Sequence, residues 1–231
     1  MVEVCAKTRR PGTLSPERGI GRISISKKST AKSPRTAIAW SGGLDSTAVI
    51  LHCLMEGHSV DLCSVRILNK GGRGQHTREE RARTRIITWF DNHQKDFPGR
   101  ISFIQNASLD IDWVQQKNED RRESTGSLLV ACLVPIMTDA QTVSFGYCAT
   151  DYFWNFSRKF RKRFNSLFPN KKLWFPMRHL DKLAIARRYY SGHQELFEIC
   201  AELVPFTEAY PDLIAKRKQL KEMRAELIRM R

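Results

Sequence analysis

Long apolar runs are missing from this chain. The stretch from Leu128 to Met137 is among the longest and falls well short of the roughly 20 residues a membrane-spanning helix needs. An integral helical membrane protein is therefore not expected. Close cysteine pairs are missing too: Cys5, Cys53, Cys63, Cys132, Cys148 and Cys200 include no CxxC. That argues against a zinc ribbon or finger and against a disulfide framework. Cys53, Cys63 and Cys132 lie within apolar runs, which suits buried, reduced thiols and a cytoplasmic location. Met1 to Arg35 has no apolar core of the kind a signal peptide carries. The six histidines show no metal-ligand spacing, and there is no internal repeat.

Acid is scarce relative to base. Across 231 residues, 39 Lys and Arg face 24 Asp and Glu, for a net charge of +15. The excess is concentrated: Met1 to Arg35 carries +7, Pro211 to Arg231 +4, Arg158 to Arg163 +5, and Lys171 with Lys172 +2, so the remainder is close to neutral. Such a surface attracts polyanions, either nucleic acid or a phosphate-rich ligand, unless the charges are simply solvated.

What is present is an α/β pattern. Thr36 to Trp40 reads as a strand that runs into Ser41-Gly42-Gly43-Leu44-Asp45-Ser46-Thr47, and Val49, Ile50, Cys53 and Leu54 then recur with helical spacing up to a stop at Gly57. Val60 to Leu68 reads as a second strand, completing a strand, turn, helix, strand unit typical of a parallel sheet. A Gly-rich basic loop is expected over Asn69 to Gln75, and a helix from Thr77 to about Asp91. Arg100 to Gln105 and Thr142 to Tyr147 read as third and fourth strands, with a buried helix between them over Ser124 to Met137, in which Pro135 marks a kink or stop. Helices are expected over Leu180 to Tyr190 and Gln194 to Leu203. The last twenty residues read as a basic helix or tail with no strong packing stripe. The expected organisation is a basic tail over 1–35, one catalytic domain over 36–210 and the terminal segment 211–231.

The segment Ser41 to Thr47 carries the chemistry. A bend between strand and helix aims backbone N–H groups and the positive helix end at an anion. Glycines at 42 and 43 let a phosphate approach the backbone, Ser41, Ser46 and Thr47 add hydroxyls, and Asp45 can hold a phosphate-bound Mg²⁺ or fix the turn. The segment is neither a Walker A loop nor GxGxxG. A purely structural alternative is a turn in which Asp45 or Ser46 caps the helix.

On these residues the chain resembles the PP-loop ATP pyrophosphatases, whose signature is SGGxDS after a strand. The resemblance implies an adenine nucleotide α-hydrolase-like fold, with a mainly parallel sheet and helices on both faces. It also implies ATP cleavage between the α and β phosphates, with Mg²⁺. Within that group the chain is most similar to 7-cyano-7-deazaguanine synthase, over about Thr36 to Cys200. Gly74, Gln75 and Glu80 resemble YGQxHxxEL, with Arg73 for Tyr and the histidine at 76. Gly146 to Tyr152 resembles GxNxxDY, with Cys148 for Asn. Phe175-Pro176-Met177 with Leu180-Asp181-Lys182 resembles PL-x-x-LxK. The likeness implies that Ser41, Gly42, Gly43, Leu44, Asp45, Ser46 and Thr47 bind ATP, that Asp45 and Lys182 are catalytic, and that Gln75, Asp151 and Tyr152 face the substrate. The implied reaction adenylates a carboxylate or amide of a 7-deazaguanine base and uses ammonia to displace AMP. The four zinc-binding cysteines of that family have no counterpart beyond Cys200, so zinc is not expected.

Two other classes stay open: a PP-loop enzyme acting directly on tRNA or DNA, and a protein that binds ATP without turnover. Phe153, Trp154 and Phe156 interleaved with Arg158, Lys159, Arg161, Lys162 and Arg163 could grip a nucleic acid. Equally, they could be an apolar face backed by solvated cations. His76 reads as solvated, Asp110 and Asp112 as loop or helix-start residues, and Glu79 and Glu80 as partners of Arg78 and Arg81.

Overall fold

The computed structural model describes residues 33–68, 73–110, 129–202 and 211–230. Five strands form one sheet: β1 (Arg35–Ala39), β2 (Ser59–Leu68), β3 (Arg100–Asp110), β4 (Thr142–Ser144) and β5 (Lys172–Trp174). The order is β3-β2-β1-β4-β5, and every neighbouring pair is parallel. Parallel neighbours need crossovers, which helices supply. They are α1 (Leu44–Met55), α2 (Arg73–Asn92), α3 (129–137) and α4 (Ser157–Leu167). A four-residue α5 (Lys182–Ile185) widens into a π turn over Ala186–Tyr190 and is followed by α6 (Gln194–Ala201) and α7 (Pro211–Arg229).

Alternation along the strands sorts the helices into two layers. Ile38, Val60 and Leu62 face a core shared with α1, α2, α6 and α7, including Ile50, Leu54, Ile86, Phe90, Phe197 and Met223. Ala37, Cys63 and Val143 point the other way, against Ala131 and Val134 of α3 and Phe160 and Phe164 of α4. The sheet is buried on both faces, as a parallel sheet requires, and the expected fold class holds. Gly57 ends α1, its N–H bonded to Leu54 O at 3.1 Å. All described cysteines are free, and burial pushes the thiols of Cys53, Cys63 and Cys200 up to about 12.

Several sequence expectations are corrected. The segment Arg73 to Gln75 belongs to α2 rather than to a loop, because the helix begins four residues before Thr77. Asp110 ends β3, opposite Leu68, so it is a strand residue; Asp112 lies outside the described residues. The end of α3 stands where expected, at 137, two residues after Pro135. A fifth strand, Lys172–Trp174, was not expected. Its three residues are too few to show alternation, and pairing with β4 stabilises it. The terminal helix does carry a packing stripe: Leu220, Met223 and Leu227, one face at helical spacing, are 8%, 1% and 2% exposed and join the core.

Candidate active site

The central strand β1 has β2 on one side and β4 on the other. The chain moves outward from β1 to β2 and β3, then returns to place β4 and β5 beyond its opposite edge. The strand order therefore reverses between β1 and β4, and the carboxyl ends of strands at such a reversal are where α/β sheets bind ligands. A cavity of about 480 Å³ opens there. Its floor is Trp40, Ser41, Gly43, Asp45 and Ser46, after β1. Its walls include Phe145, Gly146 and Tyr147 after β4, with Tyr152, Phe153 and Phe156 beyond them.

The bend has an unusual local geometry. Gly42 takes φ 87°, a conformation a side chain rarely adopts, and Gly43 is extended at the helix N-cap. No side chain caps α1, so neither Asp45 nor Ser46 plays the structural role that a simple turn would assign it. Instead Ser46 Oγ donates to Gly43 O at 3.2 Å, while Ser41 Oγ accepts from Gly43 N–H at 3.3 Å and lies 3.2 Å from Ser46 Oγ. The N–H groups of the first helical turn have no intrahelical acceptor, and Gly43, Asp45 and Ser46 line the cavity. From behind, the bend is braced by groups distant in sequence. Tyr190 OH donates to Leu44 O at 2.6 Å, and Trp40 Nε1 donates to Thr47 Oγ1 at 3.3 Å.

Lys182 reaches this bend from the start of α5, where Asp181 caps the helix by accepting from Ala184 N–H at 2.7 Å. Its ammonium bonds Asp45 Oδ2 and stands 3.7 Å from Asp151 Oδ1. Burial pulls the lysine pKa down, but Asp45, Cys148 and Asp151 together outweigh it and hold the ammonium above its ordinary value. Burial pushes the Asp45 carboxyl up, and Lys182 offsets part of that. Asp45 Oδ1 is buried with no hydrogen-bond partner. Asp151 is oriented by Cys148 N–H, which donates to its Oδ2 at 2.6 Å, and the same loop is fixed by Trp154 Nε1 donating to Cys148 O at 2.6 Å. Gly146 makes this proximity possible, because a Cβ there would lie 2.6 Å from Ser46 N and 2.7 Å from Asp45 C.

The structure thus gathers Ser41, Gly42, Gly43, Leu44, Asp45, Ser46, Thr47, Asp151, Tyr152 and Lys182 around one end of the sheet. Gln75 sits in the first turn of α2, and its side chain lies outside the described residues. Sequence reading had no signal for Tyr190, which supports the bend from 146 residues away. Phe145, Tyr147 and Phe156 carry no local signal for a site, and their position at the reversal makes them cavity walls. Phe153 and Phe160 belong to the core behind α4, so the apolar face read there is real, with the cations outside it.

Among the described residues no three His, Cys, Asp or Glu side chains cluster to hold a metal ion. Mg²⁺, however, commonly uses one or two carboxylates with substrate phosphates and water completing its shell, and the unpartnered Asp45 Oδ1 is a fitting donor. No described helix is long and apolar enough to cross a membrane.

No protein-family model matches the chain, and no curated protein matches it. Among solved structures, it is similar to the U34-tRNA thiolase NcsA from Methanococcus maripaludis, solved with its [4Fe-4S] cluster. The identity is 14% over 84% of this chain and 72% of that one, with a TM-score of 0.42. It is also similar to a 4-thiouridine synthetase solved with RNA and bound ATP, at 13% identity over 85% of this chain and 53% of that one, with a TM-score of 0.42. The class of the present chain is defined by its own parallel order and two helical layers: an α/β fold with its site at the strand-order reversal.

Proposed function

We propose that the protein is a PP-loop ATP pyrophosphatase that adenylates an oxygen of a flat, base-like acceptor and forms AMP and pyrophosphate. The observation that carries this reading is the uncapped start of α1 behind Gly42, with Lys182 and the unpartnered Asp45 Oδ1 beside it. The acceptor oxygen attacks the α-phosphate and the bond to the β-phosphate breaks. N–H groups of the first turn of α1, with the Ser41 and Ser46 hydroxyls, receive the departing pyrophosphate as its charge develops. Lys182, kept protonated by its two carboxylates, adds a fixed cation. Asp45 would hold Mg²⁺, which supplies neutralisation of the phosphate oxygens.

The finer reading is a reaction of the 7-cyano-7-deazaguanine synthase type, in which a carboxylate or amide of a 7-deazaguanine is activated and ammonia displaces AMP from the activated carbon. Aromatic walls at Trp40, Phe145, Tyr147 and Tyr152 support a planar acceptor, and Asp151 offers it a carboxylate. A second reading, in which the acceptor base belongs to a nucleic acid, draws support from Arg158, Lys159, Lys162 and Arg163 of α4, which are exposed and make no ion pair among the described residues.

The test is AMP and pyrophosphate release from ATP with Mg²⁺ across a panel of deazaguanines. Asp45→Ala is expected to lower AMP formation at least about a hundredfold, with an unchanged circular dichroism spectrum. Wild-type turnover by that variant would refute the assignment, and ATP binding with no AMP from the unaltered protein would make it a non-catalytic nucleotide binder.

A further inference from the structure

We propose that the outward face of α4 binds the sugar-phosphate backbone of a nucleic-acid strand and delivers one unpaired base into the cavity between β1 and β4. The inference rests on the adenylation reading above, whose acceptor it places within a polymer.

The argument begins with composition. From Tyr152 to Leu180 the chain has eight Lys or Arg and no Asp or Glu. Within α4, Arg158, Lys159, Lys162 and Arg163 fall at spacings of one and four residues, so they share one side of the helix, opposite Phe160 and Phe164. All four are exposed, while Phe160 and Phe164 are 3% and 1% exposed and lock the helix to the sheet. None of the four makes an ion pair among the described residues. Like charges one turn apart destabilise a helix, so this arrangement carries an internal cost that a bound polyanion would remove.

Position then narrows the partner. The residue before α4 is Phe156, a wall of the cavity, and Tyr152, four residues earlier, is 46% exposed at its rim. A helix of eleven residues spans about 16 Å, which is long for one nucleotide and suits successive phosphates of a strand. Arg178, exposed and stacked over Trp154 at 5.5 Å, extends the cationic surface. A membrane surface fits less well. A basic amphipathic helix inserts its apolar face, and here that face is already spent on the core, leaving Leu167 as the one exposed large hydrophobic of α4.

The experiment uses the full chain and a fluorescein-labelled single-stranded oligonucleotide, RNA or DNA, in anisotropy titrations over a salt series. A variant combining Arg158→Gln, Lys159→Gln, Lys162→Gln and Arg163→Gln changes exposed positions only. Four lost phosphate contacts at about 0.7 each should lower the slope of log Kd against log salt by about 3. In a separate arm, Tyr152→Ala should cut the preference for an intact strand over one with an abasic site by roughly tenfold.

An unchanged salt slope in the quadruple variant overturns the proposal, as does tighter binding to anionic phospholipid vesicles than to either oligonucleotide. The two readings fail separately. Free deazaguanine turnover with α4-independent oligonucleotide binding removes the surface and leaves the chemistry. Binding that depends on α4, with no AMP formed under any condition, removes the chemistry and leaves the surface.

Discussion

Gly146 shows how much of the site depends on single atoms. Its Cα packs so close to the start of α1 that a methyl group would meet Ser46 N at 2.6 Å and Ser46 Cα at 2.8 Å, and both are backbone atoms. Neither can rotate away. Gly146→Ala must therefore displace either the bend or the loop carrying Asp151, at a cost of roughly 1–3 kcal/mol. The expected outcome is a lower melting temperature together with weaker ATP binding, measured by calorimetry on the same sample. A variant with wild-type melting and binding would mean that the two segments stand further apart than described. The residue lies within the GYCATDY stretch, so its presence was legible in the sequence. Its contact with the Asp45-Ser46 peptide was not, because no local pattern links positions 100 residues apart.

At the scale of elements, α1 and α7 give opposite lessons. The strand, bend and helix from Arg35 to Met55 were readable because each piece has its own signal: a short β-prone run, paired glycines, then apolar residues at helical spacing. The terminal segment reads as a basic helix or tail without a strong packing stripe, because its charge masks the stripe of Leu220, Met223 and Leu227. Met223 is 1% exposed, so Met223→Ala should lower the unfolding free energy by about 2–5 kcal/mol. Lys221→Ala, at an exposed position, should stay within about 0.5 kcal/mol. Urea denaturation of the two variants decides the matter, since a solvated tail would leave both at the wild-type midpoint. The π turn after α5 belongs to this scale too. It buries Tyr189 and Tyr190 in succession, the first toward His52 and the second toward Leu44 O.

At the scale of the whole molecule, stability is tied to pH through half-buried histidines in aromatic surroundings. His193 sits 5.1 Å from Trp89 and 5.7 Å from Phe97, ring to ring. Burial lowers its pKa below 6.5, His93 adds to that, and Asp96 opposes it. His52, beside Trp174 and Tyr189, is lowered for the same first reason, with Arg188 and His58 adding and Glu56 opposing. A histidine depressed in the fold binds fewer protons there than in the unfolded chain, so stability rises with pH across the window between the folded pKa and 6.5. The contribution is complete above 6.5 and disappears as the pH falls through the folded value. Melting temperature is thus expected to drop as the pH falls from 6.5 to the folded value. His193→Phe should flatten the drop, and an equally steep profile in that variant would exclude His193 as a source.

The sequence by itself determined the α/β class, the glycine-paired bend at Ser41 to Thr47 and the uneven distribution of positive charge, because each is written in adjacent residues. Tertiary structure alone decided that Lys182 meets Asp45 across 137 positions, that Tyr190 holds Leu44 from behind, and that β5 exists at all. The physical reason is range. Propensity, glycine conformation and side-chain period act over a few residues, whereas the partner of a buried carboxylate or carbonyl is chosen by how the layers pack.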